Sequence, residues 1–389
     1  MRPGQTVTMN RSRTFRYDPS RPEFQTTLYD DYREMRDHHP LHRDPVTGTY
    51  ALSRFADVWT AVHDHATFSS IVPESEGINT QLIFFDPPEH TAARALVSRA
   101  FTPRRVMEFE PVIRAMATDL LASIDADTRC EAQHAFAAVL PSLVIARMIG
   151  VPAELVPEFR THTESFLEIT GSEDFLTAAM AIHSMFAELL ERRRARPAED
   201  MMSALIAAEL DGERLSEEQL LGFCMLLILA GNDTTSSLIG NGLVLLARHP
   251  EQRAQLVADE SLWPAAIEEM LRFESPVQAL ARRTTRPVEL HGVEVPAESR
   301  VMLVWGAANH DDREFDDPER FDIHRRVTRH LALGHGVHHC LGANLARLEA
   351  RVAFEQWHRR FPDYELDEEP TRITSIWARA HSRVPLRLG

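Results

Sequence analysis

The sequence predicts a mainly α-helical protein with a small β part, an α+β arrangement. Residues 103–260 carry helical apolar spacing with few strand signals. Residues 277–305 and 371–388 instead alternate like short strands, as in Val288-Glu289-Leu290 and Arg300-Val301-Met302-Leu303-Val304. At 389 residues and 44% hydrophobic content, the chain can bury a large core.

Taken in order, residues 1–20 are polar and Arg-rich, so they read as a mobile leader rather than a signal peptide. Residues 21–389 read as one domain, because no repeat or low-complexity linker divides them. Helical spacing covers 28–38, and 49–52 has strand character. Residues 68–85 form an irregular apolar-polar loop that includes Ile71, Val72, Pro73, Ile78, Leu82, Ile83, Phe84 and Phe85. Pro87-Pro88 opens the next helix, having no N–H to satisfy. It sets His90 and Arg94 four residues apart on one face. Residues 152–196 read as two helices around Gly171. Their Phe166, Leu167, Phe175, Leu176, Met180 and His183 are either core or pocket-facing.

Ser216-Glu217-Glu218-Gln219 is a capping box. The helix it opens is apolar on most sides, which predicts burial, and its pattern runs to about Arg248 before Pro250. Its middle breaks the pattern with Ala230-Gly231-Asn232-Asp233-Thr234-Thr235. An acid and hydroxyls in a core are costly without partners. A Thr hydroxyl there bonds the i−4 carbonyl and bends the helix. The stretch is either a satisfied polar kink or a proton relay in a dry pocket. Cys224, between Phe223 and Met225, reads as core. Glu269 and Arg272 form an i,i+3 pair of a kind common on any helix.

The net charge of −16 argues against a nucleic-acid partner. There is no lysine; all 42 cations are arginines, which suit carboxylates. Cys130, Cys224 and Cys340 cannot build a disulfide framework. No apolar run reaches the roughly 18–20 residues that cross a bilayer, so a cytoplasmic protein off the membrane is expected.

The remaining stretch is Leu333-Gly334-His335-Gly336-Val337-His338-His339-Cys340-Leu341-Gly342. Glycines let a loop turn tightly and approach a flat ligand. Leu341, Leu345, Leu348 and Val352 then fall on one helical face. Cys340 therefore sits where a Gly-rich loop feeds a helix, and unpaired N–H groups there favour a thiolate. Such a thiolate is a soft axial ligand for haem iron. A small core cysteine, or zinc held with His335, His338 and His339, are the alternatives. No Cys-x-x-Cys pair supports zinc.

This stretch resembles the haem-binding loop of the cytochrome P450 family, Phe-Gly-x-Gly-x-His/Arg-x-Cys-x-Gly. Gly334, Gly336, His338, Cys340 and Gly342 match it, while Leu333 stands where phenylalanine is usual. The segment from Asp86 to Arg94 resembles the family's Asp-Pro-Pro-x-His-x-x-x-Arg element. Ala230 to Thr234 resembles its Ala/Gly-Gly-x-Asp/Glu-Thr motif. Glu269 and Arg272 resemble its Glu-x-x-Arg helix, with Arg320 of Pro318-Glu319-Arg320-Phe321 as third member. The motifs keep family order over about residues 25–389.

The resemblance implies a triangular, mostly helical fold and a monooxygenase carrying haem b (iron protoporphyrin IX). It implies Cys340 as the iron ligand, Asp233 and Thr234 handling protons, and room for O2 at Ala230 and Gly231. His90, Arg94, Arg282 and His338 fall where the propionates are held, with Arg283 a near alternative to Arg282. Glu269, Arg272 and Arg320 form a structural clamp. The 68–85 loop caps the pocket and the 152–196 pair is a lid. Pocket positions by family are Phe84, Phe85, Leu226, Leu229, Ala230, Gln278, Leu280, Ile376 and Trp377. They suit an apolar or aromatic medium-sized substrate, with Gln278 giving one polar contact. No dinucleotide loop is present, so electrons come from a separate ferredoxin and ferredoxin reductase. Arg347, Arg351, Arg359 and Arg360 are a docking patch for it or a solvated helix face. Other readings are oxidative coupling or ring closure without oxygen insertion, and a haem-based gas sensor or carrier.

Overall fold

The computed structural model describes residues 15–21, 23–71, 82–99, 101–125, 128–168, 173–209, 212 and 214–389, without the side chains of 164–168, 173–176 and 229. Val72, Pro73, Ile78, Gly171 and the side chains of Phe166, Leu167, Phe175, Leu176 and Leu229 lie outside that description. The helices run α1 (Phe24–His38), α2 (Phe55–His63), α3 (Glu89–Ser98), α4 (Pro103–Glu108), α5 (Glu110–Ala122), α6 (Val139–Ile149) and α7 (Val156–Glu168). They continue α8 (Glu173–Ala195), α9 (Met201–Ile206), α10 (Glu217–Arg248), α11 (Pro250–Ala258), α12 (Trp263–Phe273), α13 (Trp305–Ala308) and α14 (Ala343–Arg360).

α10 is the axis of the helical part. Ser216 and Gln219 form the expected reciprocal capping box, and the helix runs 32 residues, roughly 48 Å at 1.5 Å per residue. It packs against α6, α8, α12 and α14. Leu238, Ile239, Leu243 and Leu246 are at most 1% exposed, so burial on several sides explains its apolar sequence. By length and composition α10 alone among the described helices qualifies to cross a membrane, yet 59% of its apolar window is buried inside the protein. The same core takes in Trp263, Phe354 and Trp357.

The β part gathers at one side. β1 (Leu41–Arg43), β2 (Tyr50–Leu52), β3 (Phe68–Ser69), β5 (Leu280–Thr284) and β8 (Arg300–Leu303) form a sheet in the order β1-β2-β8-β5-β3, reading β4 as Arg129–Glu131. Only the β2–β8 pair in it is parallel. β6 (Val288–Leu290) and β7 (Val293–Val295) make a hairpin. β9 (Tyr364–Leu366) and β12 (Pro385–Leu388) complete a second sheet with β4, and β10 (Thr371–Arg372) pairs with β11 (His381–Arg383). The strand signals at 277–305 and 371–388 thus appear as strands. β4 is a short strand within the otherwise helical middle.

Of the expected leader only residues 15–20 are described; among them Tyr17 is 7% exposed and Phe15 stacks on His39. One local expectation is corrected. α14 starts at Ala343, so Leu341 precedes the helix instead of opening its apolar face.

Candidate active site

A cavity lies between α10 and the loop that precedes α14. Its walls include Ala230, Gly231, Thr234 and Leu226 from α10, Leu280 from β5, and Leu333, Cys340 and Gly342 from the loop. Backbone strain fixes that loop. Gly334 and Gly336 have φ of +63° and +66°, where a side chain is disfavoured. A Cβ on Gly336 would also collide with the carbonyl oxygen of Val62. Cys340 N–H donates to the Leu333 carbonyl at 2.8 Å, closing the turn beneath the thiol. Burial raises the thiol's pKa, while the Gly342 N–H, Arg94 and Arg347 oppose it. The helix-terminus effect expected from sequence is present, then, but smaller than desolvation.

Basic side chains gather on one edge of this cavity. His90 and Arg94 share a face of α3, as their spacing requires, and both line the cavity. The His90 and His338 rings lie 4.2 Å apart. His90 is 1% exposed, and neither ring nitrogen has a hydrogen-bond partner among the described residues. Burial, with Arg94 adding to it, lowers its pKa to about 4. His338 sits against Ser70 Oγ at 2.9 Å, and burial lowers it to about 3. Arg94 donates to the His339 carbonyl at 2.5 Å. Arg282 is buried and its guanidinium donates only to the adjacent Ala281 carbonyl among the described residues. Burial lowers its pKa to about 10. Strand alternation buries Arg282, while its neighbour Arg283 pairs with Glu298. His90, Arg94 and His338 line the cavity, and Arg282 lies close enough to act on His338; buried groups of this kind could hold carboxylates.

On the opposite wall, α10 stays helical through its polar centre. Thr234 Oγ1 donates to the Ala230 carbonyl at 2.6 Å, the i−4 bond expected. Burial raises the Asp233 pKa to about 6. Gly231 lets the helix pack closely on Ile145, since a Cβ there would come within 2.7 Å of Ile145 Cδ1.

Several predicted positions fall elsewhere. Glu269 and Arg272 are fully buried and joined by two bonds of 2.8 and 2.7 Å. Their third member is Arg325, 3.1 Å from Glu269, and not Arg320, whose side chain is 70% exposed beside Asp322. The turn at Asp322 brings the chain back over Glu269, whose Oε1 also accepts from the Asp322 N–H. Gln278 does not reach the cavity. It bonds Tyr32 Oη and the Ser275 carbonyl and packs on Gly306. Phe85 is buried in the core and Phe84 is half-buried outside the lining, while Leu82 and Ile83 supply the cavity wall. Ile376 and Trp377 are exposed at 49% and 37%, outside the lining. Met180 and His183 are exposed on α8. Of the arginine patch, Arg347 pairs with Glu268, Arg351 with Glu110 and Glu355, and Arg359 with Glu260, while Arg360 bonds the Ile124 carbonyl. Sequence reasoning missed Phe101, Ile145, Phe223 and Val277 as lining residues. Their only signal was apolar character, which core residues share.

A cysteine below, a carboxylate receptor at the edge and a hydroxyl-bearing helix above define a pocket for a flat, carboxylate-bearing prosthetic group. A family model, Cytochrome P450, matches residues 165–375. Cytochrome P450 130 of Mycobacterium tuberculosis is 39% identical over 369 residues, covering 89% of this chain and 90% of that protein. Vitamin D(3) 25-hydroxylase of Pseudonocardia autotrophica is 38% identical over 375 residues, covering 92% and 93%. The structure of cytochrome P450 CYP109Q5 from Chondromyces apiculatus superposes with a TM-score of 0.91 at 38% identity, covering 96% of this chain and 98% of that one. The chain belongs to the cytochrome P450 family, whose members are oxidoreductases of the monooxygenase type and carry haem.

Proposed function

We propose that residues 21–389 act as one haem-thiolate monooxygenase domain for an apolar, medium-sized substrate, fed by a separate ferredoxin and ferredoxin reductase. The observation that carries it is the Cys340 thiol facing one cavity with an unpartnered, buried His90 and the Thr234 hydroxyl. These residues fit haem: the thiol supplies a soft axial donor, and the orphaned ring and guanidinium donors suit two propionates. Bound there, haem supplies the site where O2 is reduced and one of its atoms is passed to substrate.

The chain's own residues do the rest. Cys340 would hold the iron, in the loop shaped by Leu333, Gly334 and Gly342. His90, Arg94, Arg282 and His338 would hold the carboxylates. Asp233, with a pKa near neutrality, can store and release a proton at the pH of the cell. Thr234 has committed its proton to Ala230, so its oxygen offers lone pairs to a hydrogen bond from the pocket. The Leu82, Ile83, Leu226, Val277 and Leu280 side chains exclude water and favour an apolar guest. A relative hydroxylating vitamin D(3) is consistent with that choice. A cytoplasmic location is in keeping with α10 being a core helix.

The test is the absorbance difference between dithionite-reduced protein with and without CO, for wild type and Cys340→Ser. A strongly red-shifted Soret band, lost in the variant, is expected. An ordinary histidine-type band in the wild type would overturn the assignment of Cys340. Substrate-dependent NADH use with a ferredoxin system then separates an oxygenase from a carrier.

A further inference from the structure

Glu349 has no place in the site described so far. It lies on α14, and it lines the same cavity as Cys340, Leu345 and Ala346. The i−3 and i−4 spacing of Ala346 and Leu345 places all three on one helix face. Glu349 is 1% exposed, and its Oε2 has no hydrogen-bond partner among the described residues.

The treatment of the other buried glutamates makes this unusual. Glu269 is clamped by Arg272 and Arg325. Glu274 meets Arg379 and Arg372. Glu355, on the same helix as Glu349, meets Arg114 and Arg351. All three are at most 6% exposed, as Glu349 is. The chain therefore pairs its buried carboxylates with guanidinium groups, and no such partner reaches Glu349 among the described residues. An isolated buried carboxylate is very costly, and the ordinary resolution is to keep the proton. Burial is also the single cause acting on Glu349, and it pushes the group's pKa well upward.

We propose that Glu349 is a positioning residue for the redox step: an uncharged carboxyl on the thiolate side of the haem pocket, whose retained proton keeps the haem reducible. The inference rests on the haem-thiolate reading above. A negative charge at that place would oppose the incoming electron, because in a low dielectric it favours the more positive ferric state. Ionising Glu349 thus lowers the reduction potential. Reducing the haem in turn tightens the Glu349 proton. Cys340 is the other titratable acid on the cavity wall, and His90, Arg94, His338 and His339 are its basic groups.

The experiment is reduced-minus-oxidised infrared difference spectroscopy of the haem-loaded enzyme near neutral pH, on samples first shown to give the red-shifted CO band. That check separates failure of the haem-thiolate reading from failure of this one. The expected result is a protonated-carboxyl carbonyl band that responds to reduction, shifts in D2O, disappears in Glu349→Gln and survives in Asp233→Asn. The wild-type potential should also fall at alkaline pH along a limb that Glu349→Gln lacks. If Glu349→Gln fails to load haem, Glu349→Leu gives the same comparison, and the D2O test needs the wild type alone. Absence of a D2O-sensitive band in the wild type, or its persistence after Glu349 is replaced, would overturn the proposal.

Discussion

Thr234 and Asp233 stand next to one another on α10 but do different work. Thr234 keeps its bond to the Ala230 carbonyl, so removing the hydroxyl costs little in structure. Thr234→Ala is expected to load haem normally while diverting most reducing equivalents to hydrogen peroxide. The ratio of product formed to NADH consumed measures this, and an unchanged ratio would remove Thr234 from proton delivery. Asp233 carries a second signature. Its pKa is raised from 3.8 to about 6 by burial, so the folded protein holds this proton where the unfolded chain has released it. Stability from that proton is present below the unfolded value and is lost as pH rises through about 6. At 1.36 kcal/mol per unit, the penalty at pH 8 is on the order of 2–3 kcal/mol. Asp233→Asn should therefore stabilise the enzyme at pH 8 and barely at pH 4. Equal effects in melts at the two pH values would mean that Asp233 is not desolvated as described.

At the scale of elements, the clamp beneath the Cys340 loop separates two arginines that local sequence cannot tell apart. Arg325 touches Glu269 and also donates to the carbonyls of Asp316, Asp317 and Arg320. Arg325→Ala leaves a fully buried carboxylate one partner short, an error of about 3–5 kcal/mol. Arg320→Ala removes an exposed group and should stay within about 0.5 kcal/mol. Denaturant melts and haem retention of the two variants check this, and similar losses would return Arg320 to the clamp. The case shows what the sequence could carry. Helix α10 was legible because capping box, apolar run and terminal Pro agree over 32 residues. Cys340, His90 and Arg94 were legible because fixed spacing around glycines and prolines encodes their geometry. Arg325, Gln278 and the cavity wall were not, because they depend on where a non-local turn closes. In a chain whose cations are all arginine, residue type chooses no partner. Gln278 faces Tyr32 across 246 positions of sequence, a contact that no local pattern announces.

Over the whole molecule, buried imidazoles set the acid limit. His310, His358 and His381 are at most 4% exposed and none lines the cavity. His310 bonds the Phe273 carbonyl, and His358 lies between the Phe354 carbonyl and Tyr364 Oη. Burial is the first cause in each case, lowering their pKa values from 6.5 to about 3, 4 and 3 respectively. The folded protein keeps all three neutral at pH 5, while the unfolded chain protonates them below about 6.5. Their contribution is thus present above pH 6.5 and is lost as pH falls toward 4 and 3. Between pH 6.5 and pH 5 each site takes away about 2 kcal/mol, or about 6 kcal/mol for the three together. Glu274 does not offset this, because its carboxyl is held well below the usual range despite burial, chiefly by Arg372 and Arg379, and stays ionised at pH 5. Asp233 and Glu349 oppose this loss, because they keep protons in the folded state that the unfolded chain releases, so the histidine contribution is read as a difference: in urea unfolding of the haem-loaded enzyme, the stability of wild type relative to His358→Gln should fall by about 2 kcal/mol between pH 7.5 and pH 5. His358→Gln, which cannot be charged, should also reduce the proton uptake on unfolding at pH 5 by about one. A difference between wild type and His358→Gln that does not change over that interval would mean that the ring is not held neutral by burial.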